Sequence, residues 1–259
     1  MNQISTQQLA DWLDATLQAQ RFKDYCPNGL QVEGKANIRH IITGVTASQA
    51  LLEAAIEKNA DAVLVHHGWF WKNENPCVRG PKRARLESAL RHGLNLFAYH
   101  LPLDAHPTLG NNAQLALRLG FTPDRDAEGH PAVCGPDGLI WLGRCDPPRT
   151  LEALGASICK NLQREPLIVG NMQQKIERIA WCTGGAQSMF EAAAAAAGVD
   201  AYLTGEASEP CFHLARETGT AFIAAGHHAT ERYGVQALGR AVAEAFGIRV
   251  EFVDIDNPV

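Results

Sequence analysis

The hydrophobic pattern divides the chain into short apolar runs, each trailed by a segment of helical period. From residue 5 to about 18, Leu9, Trp12, Leu13 and Leu17 fall on one face of a helix that Ser5 or Thr6 can cap. Cys26-Pro27-Asn28-Gly29 reads as a turn. Solid apolar runs at 38–45, 62–65 and 94–99 predict buried strands. Between them, Thr46-Ala47-Ser48 opens a helix over 49–58, and further helices are expected over about 83–92 and 111–119. Residues 122–146 are richer in Gly, Pro and Asp and break this rhythm, which places a domain boundary at 123/124. Alternation then resumes. Strands are expected near 139–143 and 167 and over 176–182, 201–204, 221–225 and 249–255. The intervening helices start at 151, pass through the alanine run 192–197, and cover 230–246. The expectation is an α/β fold of two domains, 1–123 and 124–259, with largely parallel sheets.

The halves resemble each other. Ile38, Ile41, Gln49, Glu53, Ala54 and Ala55 match Ile176, Ile179, Gln187, Glu191, Ala192 and Ala193 at one offset. After a one-residue insertion, Asp61, Ala62 and Leu64 match Asp200, Ala201 and Leu203. Alanine-rich helices can match by chance. However, His100-x-x-x-Asp104 also lines up with His227-x-x-x-Glu231, which favours a duplication.

Composition narrows the setting. An apolar fraction of 46% and a charged fraction of 20% are those of a globular protein, and a net charge of -5 argues against a nucleic-acid partner. The Met1-Asn2-Gln3-Ile4-Ser5 start has no basic and apolar leader pattern. No run approaches the roughly 20 apolar residues of a membrane span. The seven cysteines are scattered without a CxxC pair, so reduced thiols in a cytoplasmic protein are expected.

The chemistry gathers where apolar runs end, the edge at which open α/β sheets bind ligands. Ala62-Val63-Leu64-Val65 runs straight into His66-His67-Gly68. His66, His67, Asp104, His227 and Glu231 are the candidate metal ligands. Three imidazoles and two carboxylates suit Fe, Zn or Mn better than Ca or Mg. Five ligands exceed the three of an open catalytic zinc site and fall short of two closed sites, so two open sites sharing a carboxylate fit the number. Adjacent His66 and His67 diverge on an extended backbone and are expected to serve one ion each. His227 and Glu231 are spaced for one helix face, whereas Pro102 places His100 and Asp104 in a loop.

Other motifs carry competing readings. His228 reads as a structural residue or a neighbour of the ligands, and His100 as a residue supporting the ligands or facing substrate. His40, His92, His106, His130 and His213 read as surface or helix residues. Gly184-Gly185 could cradle a phosphate or simply make a tight turn. Trp69-Phe70-Trp71 reads as packing rather than a base-stacking surface. Lys72, Arg79, Lys82, Arg83 and Arg85 read as a solvated face rather than an anion site.

Six motifs together resemble the GTP cyclohydrolase I type 2 homologues, also called the NIF-three-like proteins, in their short bacterial form. They are Asn28-Gly29-Leu30-Gln31-Val32, Val65-His66-His67-Gly68, His100 to Asp104, Gly110-Asn111-Asn112, Thr204-Gly205-Glu206 and Gly226-His227-His228-Ala229-Thr230-Glu231. The resemblance covers nearly the whole chain. Gly68 and His228 depart from it, where many members have Pro and an aromatic residue. It implies two interlinked α/β domains with the metal site between them, and a toroidal homohexamer whose metal centres face the interior. It also implies a dinuclear centre on His66, His67, Asp104, His227 and Glu231, with Glu231 as the bridge. The family name implies hydrolytic opening of the guanine ring of GTP. A two-metal site attracts anions and favours hydrolysis, so a nucleotide or phosphorylated small molecule is the expected substrate class. Glu206 or His100 is the expected proton shuttle. The alternative is a non-catalytic metal-binding ring that stores or delivers metal or serves as a protein scaffold.

Overall fold

The computed structural model describes residues 2–196 and 198–259. Two compact units emerge, one made of Met1–Gly110 with Gly234–Asp256, the other of Asn111–Tyr233 with Asn257–Val259. The chain therefore leaves the first unit after Gly110 and rejoins it at Gly234. The 123/124 junction falls within the second unit's sheet, where Phe121–Pro123 pairs with Ile140–Thr150.

In the first unit, Ser5 caps the helix Thr6–Leu17 through a reciprocal box with Gln8, and Leu9, Leu13 and Leu17 are buried. A five-stranded sheet runs in the order Arg249–Phe252, His40–Thr46, Ala62–His67, Asn95–Ala98, Gly29–Val32. The first four strands are parallel and the last is antiparallel. Ile41, Ile42, Val63, Leu64, Leu96 and Phe97 bury both faces of its centre, which is why these runs read as solidly apolar. Ser48 caps the helix Gln49–Glu57, as its position after the strand suggests. The next helix, Gly80–Arg91, starts earlier than its apolar period indicates because Pro81 occupies the first turn.

Sheet order in the second unit is Leu167–Val169, Ala221–Ala224, Ala201–Thr204, Lys175–Trp181, Ile140–Thr150, Phe121–Pro123, and Val133–Cys134 also pairs with Ile140–Thr150. Its centre, Lys175–Trp181 with Ala201–Thr204 and Ala221–Ala224, is parallel, and the flanking strands are antiparallel. The glycine- and proline-rich stretch thus supplies edge strands to this sheet. The helix expected through the alanine run covers Phe190–Ala195, and Ala197 lies outside the described residues.

The repeat is visible in the hydrogen bonding. In the first unit an Asp61 carboxylate oxygen accepts from the backbone N–H of Arg39 and His40, and the Asp61 N–H donates to His40 O. In the second, the Asp200 carboxylate accepts from Glu177 and Arg178, and the Asp200 N–H donates to Arg178 O. Each aspartate ties the start of its own strand to the preceding parallel strand. Strand and helix then alternate in the same order in both units, ending in the helices Leu101–Ala105 and His227–Phe246.

Candidate metal centre

The first unit presents its histidines at the ends of two neighbouring parallel strands, His66 and His67 on Ala62–His67 and His100 just past Asn95–Ala98. His66 and His67 are the last two residues of Ala62–His67, inside the strand rather than beyond it. His66 is fully buried, and its Nδ1 lies 3.0 Å from Tyr99 O, a carbonyl that can only accept. That bond fixes the proton on Nδ1 and leaves the Nε2 lone pair as the outward-facing donor atom. Nε2 lies 3.5 Å from Asp104 Oδ1. The Nδ1 atom of His67 sits 3.1 Å from Thr46 Oγ1. The two rings do not diverge as extended backbone suggests. Their centroids are 4.5 Å apart at the strand end.

His100 joins this group. Its ring centroid is 5.0 Å from that of His66 and 5.7 Å from that of His67, and the three residues offer ligand atoms within 4.8 Å of one another. The His100 Nδ1 is held 2.7 Å from Asp24 Oδ1. Asp24 also accepts from the N–H of Leu101 and from Asn28 Nδ2, and Asn28 Oδ1 accepts from the His100 N–H at 2.7 Å. Burial opposes ionisation of Asp24. The hydrogen bond and charge of His100, aided by Asn28 and Leu101, outweigh it and hold the carboxyl down to about 2.

Asp104 is not in a loop. Leu101–Ala105 forms one short helix, and the Asp104 N–H donates to His100 O. Pro102 lies in its first turn, where a missing N–H leaves no bond unmade, so the helix-breaking rule for interior prolines does not apply. His40 also differs from expectation. It is a buried strand residue whose Nε2 lies 3.0 Å from Glu251 Oε1.

In the second unit, the strand Ala221–Ala224 ends just before His227, the first residue of the long helix. The four-residue spacing to Glu231 puts both on one face, with His227 Nε2 3.2 Å from Glu231 Oε2. His227 Nδ1 sits 2.6 Å from Glu206 Oε1, while Glu206 Oε2 accepts from Gln187 Nε2 at 3.2 Å. Glu206, expected as a proton shuttle, thus lies where it orients the imidazole. Burial disfavours the His227 charge, but Glu231 and then Glu206 prevail and raise its pKa to about 9. His228 is buried, and its N–H donates to Val259 O.

Gly184-Gly185 does not open a helix. Gly184, at φ +70°, donates its N–H to Thr230 Oγ1 and lies against Glu231. A Cβ there would collide with Glu231 Oε1, so only glycine lets the loop close on that carboxylate.

All four histidines share one plan. Nδ1 is engaged by a carbonyl, a hydroxyl or a carboxylate, which leaves Nε2 on the open side of each ring. Carboxylates stand beside two of those Nε2 atoms. This donor set fits a borderline transition metal, whose histidine ligands are characteristically oriented through the opposite ring nitrogen. Sequence reading missed Asp24, Asn28, Thr46 and the Tyr99 carbonyl as orienting groups. The available signals were the four-residue spacing of Asp24 and Asn28 around a turn and the place of Asn28 at the head of the motif Asn28 to Val32.

Known proteins bear on the same chain. It is 55% identical over 247 residues to the GTP cyclohydrolase 1 type 2 homolog of Neisseria meningitidis serogroup B, spanning 95% of this chain and 96% of that one. A protein of the same name from Pseudomonas aeruginosa is 54% identical over 255 residues, spanning 98% and 99%. Among solved structures, protein ybgI, described as of unknown function, superposes with a TM-score of 0.92 at 47% identity over 99% of this chain and 100% of that one. TTHA1606 from Thermus thermophilus gives 0.86 at 32% identity, again over 99% and 100%. The family described as Duf34/NIF3 (NGG1p interacting factor 3) matches residues 4–258. The chain belongs to the Duf34/NIF3 family.

Proposed function

We propose that the protein is a dinuclear metal-dependent hydrolase acting on a nucleotide or phosphorylated small molecule. In this reading His66, His67, Asp104, His227 and Glu231 hold two divalent ions of Fe, Zn or Mn, and Glu231 is the shared carboxylate. The observation that carries it is the common plan of the histidines, each held at Nδ1 so that Nε2 is presented. The names of the relatives, GTP cyclohydrolase 1 type 2 homolog, support a nucleotide as the first substrate to try.

Bound there, the ions supply Lewis-acid polarisation of a carbonyl or phosphoryl oxygen and activation of water. The rest falls to the chain. Tyr99 O and Glu206 keep the Nδ1 protons of His66 and His227 in place, and Thr46 orients the His67 ring. Asp24 keeps the Nδ1 proton of His100 in place, so that Nε2 is the atom that accepts or returns a proton. A toroidal homohexamer is the proposed assembly.

Elemental analysis of untagged protein purified without chelator, beside H66A and E231A, tests the reading. About two transition-metal ions per chain are expected, lost in both variants, with nucleotide or phosphate-ester hydrolysis falling by orders of magnitude in E231A. Metal bound without turnover would point instead to storage or delivery. No metal after reconstitution with Fe, Mn and Zn would end the metal reading in favour of a scaffold.

A further inference from the structure

The helix Gly80–Arg91 splits the basic run in two. Arg83 faces solvent and pairs with Glu87 at 3.3 Å, as expected for a solvated face. Arg79, Lys82 and Arg85 recur every three residues and instead line a cavity of about 380 Å³ with Trp69, Glu74 and Asn75. Three cations face one carboxylate there.

That cavity is built rather than incidental. Lys82 is pinned by Glu74 at 3.3 Å and by Asn75 O at 3.3 Å, and its ammonium lies 5.3 Å from the centre of the Phe70 ring. The one acid is thereby spent on Lys82. Arg85 is half-buried, and its Nε is shielded from solvent without a hydrogen-bond partner, a donor that an anion in the cavity could meet. Phe70 sits at φ +68°, a conformation that is unfavourable for a bulky residue and persists only where the surroundings impose it. The backbone at Phe70 lets Trp69 bury its ring and donate Nε1–H to Ala47 O at 2.9 Å while Phe70 lies under Lys82. Trp69 follows directly on His66-His67-Gly68.

We propose that Arg79, Lys82 and Arg85 form a binding site for phosphate-bearing small molecules. Guanidinium groups match phosphate oxygens in geometry, and buried Trp69 closes one side of the cavity. The site stands on its own residues. Its identification as the anchor for the substrate's phosphate rests on the function proposed above.

Calorimetric titration of pyrophosphate into the protein as purified, R79Q, R79Q/R85Q and E231A tests this. Saturable binding that weakens with added salt is expected in the unaltered protein. Affinity should fall about tenfold in R79Q, where the altered residue is exposed, and about 100-fold in the double variant, whereas E231A, which removes the proposed metal site, should keep the arginine-dependent binding. Equal affinity in the protein and R79Q/R85Q, or no binding at all, overturns the site. So does loss confined to E231A, which would place the anion at the histidine–carboxylate cluster. Pyrophosphate binding through the arginines in a protein that takes up no metal on reconstitution would end the hydrolase reading and leave this site standing.

Discussion

Asp24 and His100, 76 positions apart in the chain, meet at 2.7 Å with the Asp24 side chain only 2% exposed. Since the carboxyl is held at about 2 against an ordinary 3.8, the folded state binds its proton less readily than the unfolded one. The resulting stability is present above the unfolded value and is lost as pH falls through about 2. It amounts to about 2 kcal/mol. Urea unfolding midpoints between about pH 5 and pH 2 should therefore drop less steeply in D24N than in the unaltered protein. Parallel curves would remove Asp24 from the acid response.

Glu206→Gln should keep the fold and weaken metal binding. The carboxylate increases the basicity of His227 and fixes its ring, and loss of such a partner lowers metal affinity about 10- to 100-fold. Competition against a chelator of known affinity measures this directly. An unchanged affinity would assign Glu206 a role other than orienting His227.

Two glycines separate a local effect from a backbone effect. Gly184 and Gly219 have positive φ, but a Cβ at Gly184 meets Glu231 whereas one at Gly219 meets nothing within 4 Å. Gly219→Ala should cost about 1 kcal/mol and retain metal. Gly184→Ala should cost more and lose metal, because Glu231 must move. Thermal melts with metal analysis decide it, and equal metal content in both would contradict the close approach.

His66 and His67 were legible because an apolar run announces a buried strand and two imidazoles at its end are conspicuous. Their orienting groups were not. Asp24 lies in a segment without period, and it reaches His100 only through tertiary folding. Tyr99 contributes a carbonyl, which every residue has. Pro102 misled for a different reason, since its effect depends on where in the helix it falls. The strand Ile140–Thr150 ran beyond its apolar core because Pro147 and Pro148 look like a strand's end yet are accommodated near its finish.

Asp61 and Asp200 invite a matched test. Each accepts two backbone N–H groups, so D61A and D200A should each destabilise by about 1–3 kcal/mol. Chemical denaturation of the two variants should give similar losses. A large effect in one alone would mean that the two positions are not equivalent in energy.

The strand Arg249–Phe252 lies beside His40–Thr46 at one edge of the first sheet. On the ribosome, that edge stays open while the whole of Asn111–Tyr233 is made, since its partner is translated only afterwards. The second unit is therefore the one with a continuous stretch able to close early, and the first waits for the tail. A nascent chain stalled before residue 249 would carry an unpaired parallel edge, the kind of surface that chaperones hold and that neighbouring chains can pair with.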